Sequence, residues 1–169
     1  MSDLVLVLNC GSSSIKFALF DADAQPLPRQ PLWNGKVDGI TGPAPTFGET
    51  GVTPGPVTLD AAHPYHAALQ HIRSRVLART AQGGHRIAAV AHRVVHGGAK
   101  YFDPVRVDAE VLADLRSYIP LAPLHQPFAL EAIGALLQHL PDLPQVACFD
   151  TAFHHTLPDV EKMRSEEHT

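Results

Sequence analysis

The first apolar run, Leu4 to Leu8, is continuous and aliphatic. It is too short for a buried helix and predicts a central strand. It stops at Asn9-Cys10-Gly11-Ser12-Ser13-Ser14, a turn-rich hexad. Ile15, Phe17 and Leu19 then alternate with Lys16, Ala18 and Phe20, the period of a second strand, which Asp21-Ala22-Asp23 ends. Leu32 to Val37 predicts a third. Short connections make these strands antiparallel neighbours. Residues 38–56 are dense in Gly, Pro and Thr and predict an irregular loop or flap. Pro64 suits a first helical turn, and Tyr65, Leu69, Ile72 and Val76 recur at helical spacing until Gly83-Gly84 closes the helix. Ile87 to Val95 predicts another strand. A helix over Ala109 to Ser117 has Asp108 as its cap. Pro123 to His139 predicts a third helix, kinked or restarted at Pro127. Gln145 to Phe149 is the last strand, with Asp150 at its end. The order β-β-β-α-β-α-α-β is an α/β chain in which antiparallel strands lead and parallel β-α-β units follow.

Composition agrees with one ordinary domain. The chain has 169 residues, 45% hydrophobic and 18% charged, a soluble globular balance. A formal net charge of -4 advertises no basic surface for nucleic acid. No apolar run approaches the ~20 residues that span a bilayer, and Met1-Ser2-Asp3 lacks the basic start of a signal peptide. The expectation is a cytoplasmic protein with no membrane contact. Cys10 and Cys148 each end an apolar run and are expected to be small buried hydrophobes, not a disulfide. Arg164 to Thr169 is charged and patternless. Residues 159–169 are therefore expected to be a non-native tail on a truncated end.

Chemistry can sit in four places, all at element ends. In Asn9 to Lys16, successive backbone N–H groups and the hydroxyls of Ser12 and Ser14 can cradle an anion, with the Lys16 ammonium as a point charge. A Ser-rich hairpin turn is the plainer alternative. In Ala91 to Gly98, Arg93 interrupts an apolar strand, which calls for an anionic partner, either a ligand or a structural carboxylate. The double glycine permits close backbone approach. His92 and His96 would lie about 13 Å apart on a strand, so they are no metal pair. In Pro120 to Pro127, a proline-rigid segment presents His125 near a helix start, where it can donate to a charged oxygen. Asp150 sits at the carboxyl end of a buried strand, a usual ligand position in open α/β sheets; alternatively it caps a short helix.

Taken together and in order, the segments LVLVLNCGSSSIKFALF (4–20), AHRVVHGG (91–98), PLAPLHQP (120–127) and FDTAFHHTLP (149–158) resemble the acetokinase family. The resemblance covers about residues 3–158, which it implies are the N-terminal domain of a larger enzyme. It implies the actin-like, sugar-kinase-like ATPase fold, two domains each built on a ribonuclease-H-like sheet, with this chain matching most of the first. It implies reversible, Mg2+-dependent transfer of a phosphoryl group from ATP to acetate, giving ADP and acetyl phosphate. Matched position by position, Asn9 is the magnesium-site residue and Lys16 the nucleotide-phosphate lysine, with Ser12 and Ser14 beside it. Arg93 binds the carboxylate or phosphoryl group. Val95 and Leu124 line the methyl pocket, His125 holds the transferring phosphoryl group, and Asp150 is the catalytic acidic residue, a proton donor or acceptor. Gln126 stands where the family usually has Asn, and Ala99 where it often has Glu. The family's second domain supplies the adenosine loops, a further His and Arg and the other magnesium carboxylate. None is in this chain, so it is expected to be inactive alone, and the parent enzyme is expected to be a homodimer. A propionate or other short-chain acyl kinase, and a non-catalytic nucleotide-sensing domain of the same superfold, are the alternatives.

Overall fold

The computed structural model describes residues 2–24, 28–94, 97, 98, 100, 101, 103–121, 123 and 126–149. β1 (Ser2–Cys10) turns back onto β2 (Ile15–Asp21). Alternate side chains of both strands enter the core: Leu4, Leu6, Leu8 and Cys10 from one, Ile15, Phe17 and Leu19 from the other. Their antiparallel register sets Leu6 opposite Leu19 and Asn9 opposite Lys16. β3 (Trp33–Asp38) continues the meander, and its Trp33 packs edge-on to Phe17 with ring centroids 5.0 Å apart.

The segment expected to be an irregular loop contains two strands, β4 (Thr46–Glu49) and β5 (Val52–Pro56), which extend the sheet as a hairpin. Local composition points to a loop, but tertiary contacts decide otherwise. Phe47 stacks on Phe17 at 6.1 Å and meets the His71 ring at 4.5 Å. Glu49 accepts two hydrogen bonds from Arg75, at 2.8 and 3.2 Å. Pro54 and Pro56 are tolerated because β5 is the outermost strand, where a missing N–H costs no essential ladder bond.

α1 (Pro64–Gly83) opens on Pro64 and buries Tyr65, Ala68, Ile72, Val76 and Thr80 along one stripe. Gly84 ends it in the left-handed region, φ 67°, with its N–H on the Thr80 carbonyl, a conformation glycine adopts without strain. β6 (His85–Val94) then lies parallel to β1. A two-residue strand, β7 (Val105–Arg106), precedes α2 (Ala109–Ser117), whose expected cap Asp108 accepts from Val111 N–H at 2.8 Å. α3 (Gln126–His139) starts later than expected, with Pro127 in its first turn, where no backbone donor is lost. β8 (Gln145–Phe149) pairs parallel with β6 and antiparallel with β7. β7 was not anticipated, since two residues are too few to show a period.

The sheet order is β5-β4-β3-β2-β1-β6-β8-β7. Among the described residues, α1, α2 and α3 pack on one face. α1 and α3 cover Leu6, Leu8 and Val90, while α2 and α3 cover Val94, Ala147 and Phe149. On the other face Val5, Val7, Ala18, Ala89 and Ala91 are only half-buried, and Arg93 and Cys148 are exposed. The expectation for Cys148 is thus corrected. It pairs with Arg93 on the helix-free face, whereas Cys10 points into the core.

A polar connection runs through the apolar core from β6 to α3. His92, 1% exposed, shares a 2.7 Å hydrogen bond between its Nε2 and Gln145 Oε1. Gln145 in turn donates to the Ile133 carbonyl of α3 at 3.3 Å. His92 Nδ1 is buried without a hydrogen-bond partner. Burial pushes its pKa down from 6.5 to about 4, against the opposing pull of the Gln145 bond. The unfolded chain therefore binds the proton near pH 6.5, while the folded chain resists it until about pH 4. Between those values the unfolded state holds more protons, so stability falls as pH is lowered through the window. The full gap corresponds to about 3 kcal/mol. We expect His92→Asn, which cannot take up that proton, to lose less stability than wild type in urea titrations at pH 7 and pH 4. Parallel losses in the two proteins would contradict this account.

Candidate functional site

Strands β1, β6 and β8 run parallel, so their carboxyl ends lie along one side of the sheet. Asn9 is next to last in β1 and Arg93 next to last in β6. Leu8 pairs with His92, so the following residues, Asn9 and Arg93, are neighbours across the ladder. Asn9 is also directly opposite Lys16. Lys16, Asn9 and Arg93 therefore stand side by side on three adjacent strands. All three belong to the helix-free face, because their chain neighbours Ile15, Leu8, His92 and Val94 are the buried ones. A polar and cationic row at strand ends suits an anionic ligand.

The hairpin turn between β1 and β2 is fixed by hydrogen bonds. Gly11 N–H donates to Ser14 C=O at 2.8 Å, and Ile40 N–H donates to Ser13 C=O at 2.9 Å. Tyr65 Oη donates to the Gly11 carbonyl at 2.8 Å. Ser12 and Ser13 are exposed at the turn, and Ser14 is half-buried. Tyr65 lies in the first turn of α1 and packs on Phe128 of α3 at 5.1 Å. It thus ties the turn to two helices. Burial, with smaller contributions from Cys10 and Glu131, raises its pKa, so the hydroxyl stays a donor. Burial likewise pushes the Cys10 thiol up to about 12. Tyr65 was legible in the sequence only as a core position, since its partner is distant along the chain.

Lys16 and Asn9 line a cavity of about 690 Å³ on the open face together with Lys36, Asp38, Thr46 and Gly48. Lys36 and Asp38 were missed by sequence reasoning. The only available signal was their alternation with Val37 on the third strand, which places them on its outer face. The two glycines after β6 approach protein groups in this structure. A Cβ on Gly97 would lie 2.2 Å from the Tyr101 carbonyl, and one on Gly98 2.5 Å from the Tyr118 ring. Tyr101 and Lys100 both bond to Asp114 of α2 at 2.6 Å, which anchors that turn. Val95, Leu124, His125 and Asp150 lie outside the described residues, as do His96, Ala99 and residues 159–169.

Asn9 offers a single neutral oxygen to a cation. Among the described residues no group of three His, Cys, Asp or Glu is placed to hold a metal ion. Since magnesium favours at least one carboxylate together with phosphate oxygens, these residues do not by themselves fit a magnesium site. No helix among the described residues is long and apolar enough to cross a membrane.

Comparison with known proteins gives a consistent result. The sequence model of the Acetokinase family matches residues 4–165. An acetate kinase of Rhodopseudomonas palustris (strain ATCC BAA-98 / CGA009) is 46% identical over 162 residues, covering 95% of this chain and 40% of the relative. An acetate kinase of Deinococcus deserti is 41% identical over 159 residues, covering 93% and 38%. Among solved structures, a propionate kinase from Francisella tularensis superposes with a TM-score of 0.73 at 35% identity, covering 95% of this chain and 40% of the other. Porphyromonas gingivalis acetate kinase gives 0.71 at 32%, covering 93% and 39%. The chain thus spans about 40% of the length of the relatives it matches. Its fold is that of these kinases, the actin-like ATPase fold.

The Tyr65 hydroxyl should be what holds the hairpin turn. Tyr65→Phe keeps the ring on Phe128 and removes the bond to Gly11. It should cost about 1 kcal/mol and speed hydrogen exchange at the Gly11 amide, measured by NMR, more than at amides in the middle of β1. Unchanged exchange at Gly11 would show that the turn holds without this bond.

Proposed function

The chain belongs to the acetokinase family, and from that premise we propose that it carries the acyl-phosphate half of a site that transfers the γ-phosphoryl group of ATP to acetate. The observation that supports this most is the adjacency of Lys16, Asn9 and Arg93 across three strand ends. A carboxylate and a polyphosphate both need cations held in a fixed frame, and strand ends provide one.

The proposed reaction is an in-line displacement. An acetate oxygen forms a bond to the γ-phosphorus, the bond from that phosphorus to the bridging β,γ-oxygen breaks, and ADP leaves. Such a transfer needs positioning and neutralisation of spreading charge more than covalent help. In this reading Lys16, with Ser12 and Ser14, holds nucleotide phosphates. The Arg93 fork holds the acetate carboxylate or the transferring group. His125 donates to the same group, and Val95 and Leu124 receive the methyl. Acetate is ionised at neutral pH and already nucleophilic, so Asp150 need not remove a proton. Its proposed role is to orient Arg93 or a bound water. Magnesium would enter with the nucleotide, Asn9 lending one oxygen and the nucleotide phosphates others. The adenosine site, the remaining magnesium ligands and the subunit contact of a dimer are assigned to the part of the relatives' length that this chain does not span. A location in the cytoplasm, where ATP is supplied, follows from the same reading.

A second reading is supported by the propionate kinase among the similar structures. One methylene changes discrimination by only ~1–3 kcal/mol, so the two acids should differ by roughly 10- to 200-fold in kcat/KM at most.

The test is hydroxamate trapping of acyl phosphate from ATP with acetate or propionate, using both the 169-residue chain and a full-length kinase that contains it. We expect turnover by the full-length protein and none by the chain alone. In the full-length protein Arg93→Ala should lower kcat by ~10²–10³-fold, as for removal of one charge-stabilising donor. Acyl phosphate formation by the isolated chain would overturn the half-site assignment.

A further inference from the structure

Lys36 has no role in the scheme above, yet its position is unusual. β2 and β3 pair so that Lys16 and Lys36 are directly opposite each other. Like charges in directly opposed cross-strand positions destabilise a sheet. Both lysines are exposed on the same face, and both line the cavity that also includes Asn9. The row of polar strand ends therefore continues one strand further, as Lys36, Lys16, Asn9 and Arg93 on β3, β2, β1 and β6. With strands about 4.8 Å apart, three spacings make this row roughly 14 Å long.

Asp38 is the acidic group at this end of the cavity. Its carboxylate lies 3.0 Å from Lys36 Nζ. Its pKa is held below the ordinary value first by Lys36, then by the Gly39 N–H, with Lys16 contributing more weakly. A carboxylate oxygen thus already sits where it feels both ammonium groups. Both partners of the ion pair are about half exposed, and such pairs hold weakly against competition. The other acidic side chain lining the cavity, Glu49, is committed to Arg75. The hairpin carrying Gly48 and Pro54 walls the outer side, and Val7 and Ala18 form the floor next to the charged row.

We propose that Lys36 and Lys16 together bind the phosphate groups of the nucleotide, with Asp38 competing for Lys36. This assignment rests on the kinase reading. It makes Lys36 a ligand-contacting residue and Asp38 a brake on the affinity for polyphosphate. A merely solvated sheet face would give neither effect.

The experiment compares wild type, Lys36→Met, Lys36→Arg and Asp38→Asn in a full-length kinase containing this chain. KM and kcat are measured for ATP in the forward direction and for acetyl phosphate in the reverse. Pyrophosphate binding is measured separately by calorimetry. Loss of one charged phosphate contact should raise the KM for ATP about tenfold in Lys36→Met, with kcat changed little. Lys36→Arg should restore most of the affinity, and Asp38→Asn should lower the KM below that of wild type. Pyrophosphate affinity should follow the same order. An unchanged KM for ATP in Lys36→Met overturns the proposal. So does a rise for acetyl phosphate alone, which would put the acyl phosphate at the lysine pair. Should wild type fail to phosphorylate any carboxylate, the kinase reading falls by itself, and the calorimetry still decides whether the pair binds polyphosphate.

Discussion

The pairing of β1 with two different neighbours is the constraint on which the rest depends. One edge pairs antiparallel with β2 and the other parallel with β6. The antiparallel register is set by a tight turn. The parallel register has no such local device and must be set by packing, chiefly Leu4, Leu6, Leu8 and Val90 against α1 and α3. Because side chains alternate strictly along a strand, a slip of one residue on either edge would reverse faces. Asn9 would then meet the helices, and Leu8 the open face. The same alternation that buries Leu8 and His92 delivers Asn9 and Arg93 to the helix-free side.

The one-sided placement of the helices has a further consequence. Parallel strands are usually covered on both faces, and here β1, β6 and β8 are covered on one by the described helices. The outer face carries small and half-buried residues in its middle, with Asn9 and Arg93 near the carboxyl ends of β1 and β6. The buried His92–Gln145–Ile133 connection stiffens this arrangement from beneath, joining β6, β8 and α3. Each of those elements adjoins a proposed functional residue: Arg93 follows His92, Asp150 follows β8, and His125 precedes α3. A neutral imidazole in the core is therefore part of the frame of the site while contributing no charge to it.

The β4–β5 hairpin shows where local signals mislead. Its Gly and Pro content describes a loop, and no alternation of apolar residues argues against that. Phe47 nevertheless finds Phe17 and His71, and Glu49 finds Arg75. Edge strands can carry prolines that a central strand cannot, so composition alone cannot separate a flap from an edge. The hairpin also walls the cavity beside Lys16 and Lys36, which makes this segment part of the proposed ligand-binding surface.

The sequence by itself determined the elements with a clean period, namely β1, β2, α1, β6 and β8, the buried stripe of α1 and the Asp108 cap, while it misplaced Cys148, which lies on the helix-free face of β8. These are local matters, settled by side-chain spacing and backbone preference within a dozen residues. It also determined the family, because four short motifs in fixed order are individually weak and jointly specific. Only the tertiary structure decided which strand ends are neighbours. The adjacency of Lys16, Asn9 and Arg93, the opposition of Lys16 and Lys36, and the hold of Tyr65 on Gly11 all join residues distant along the chain. Strand order and register arise from long-range packing, which no local pattern encodes.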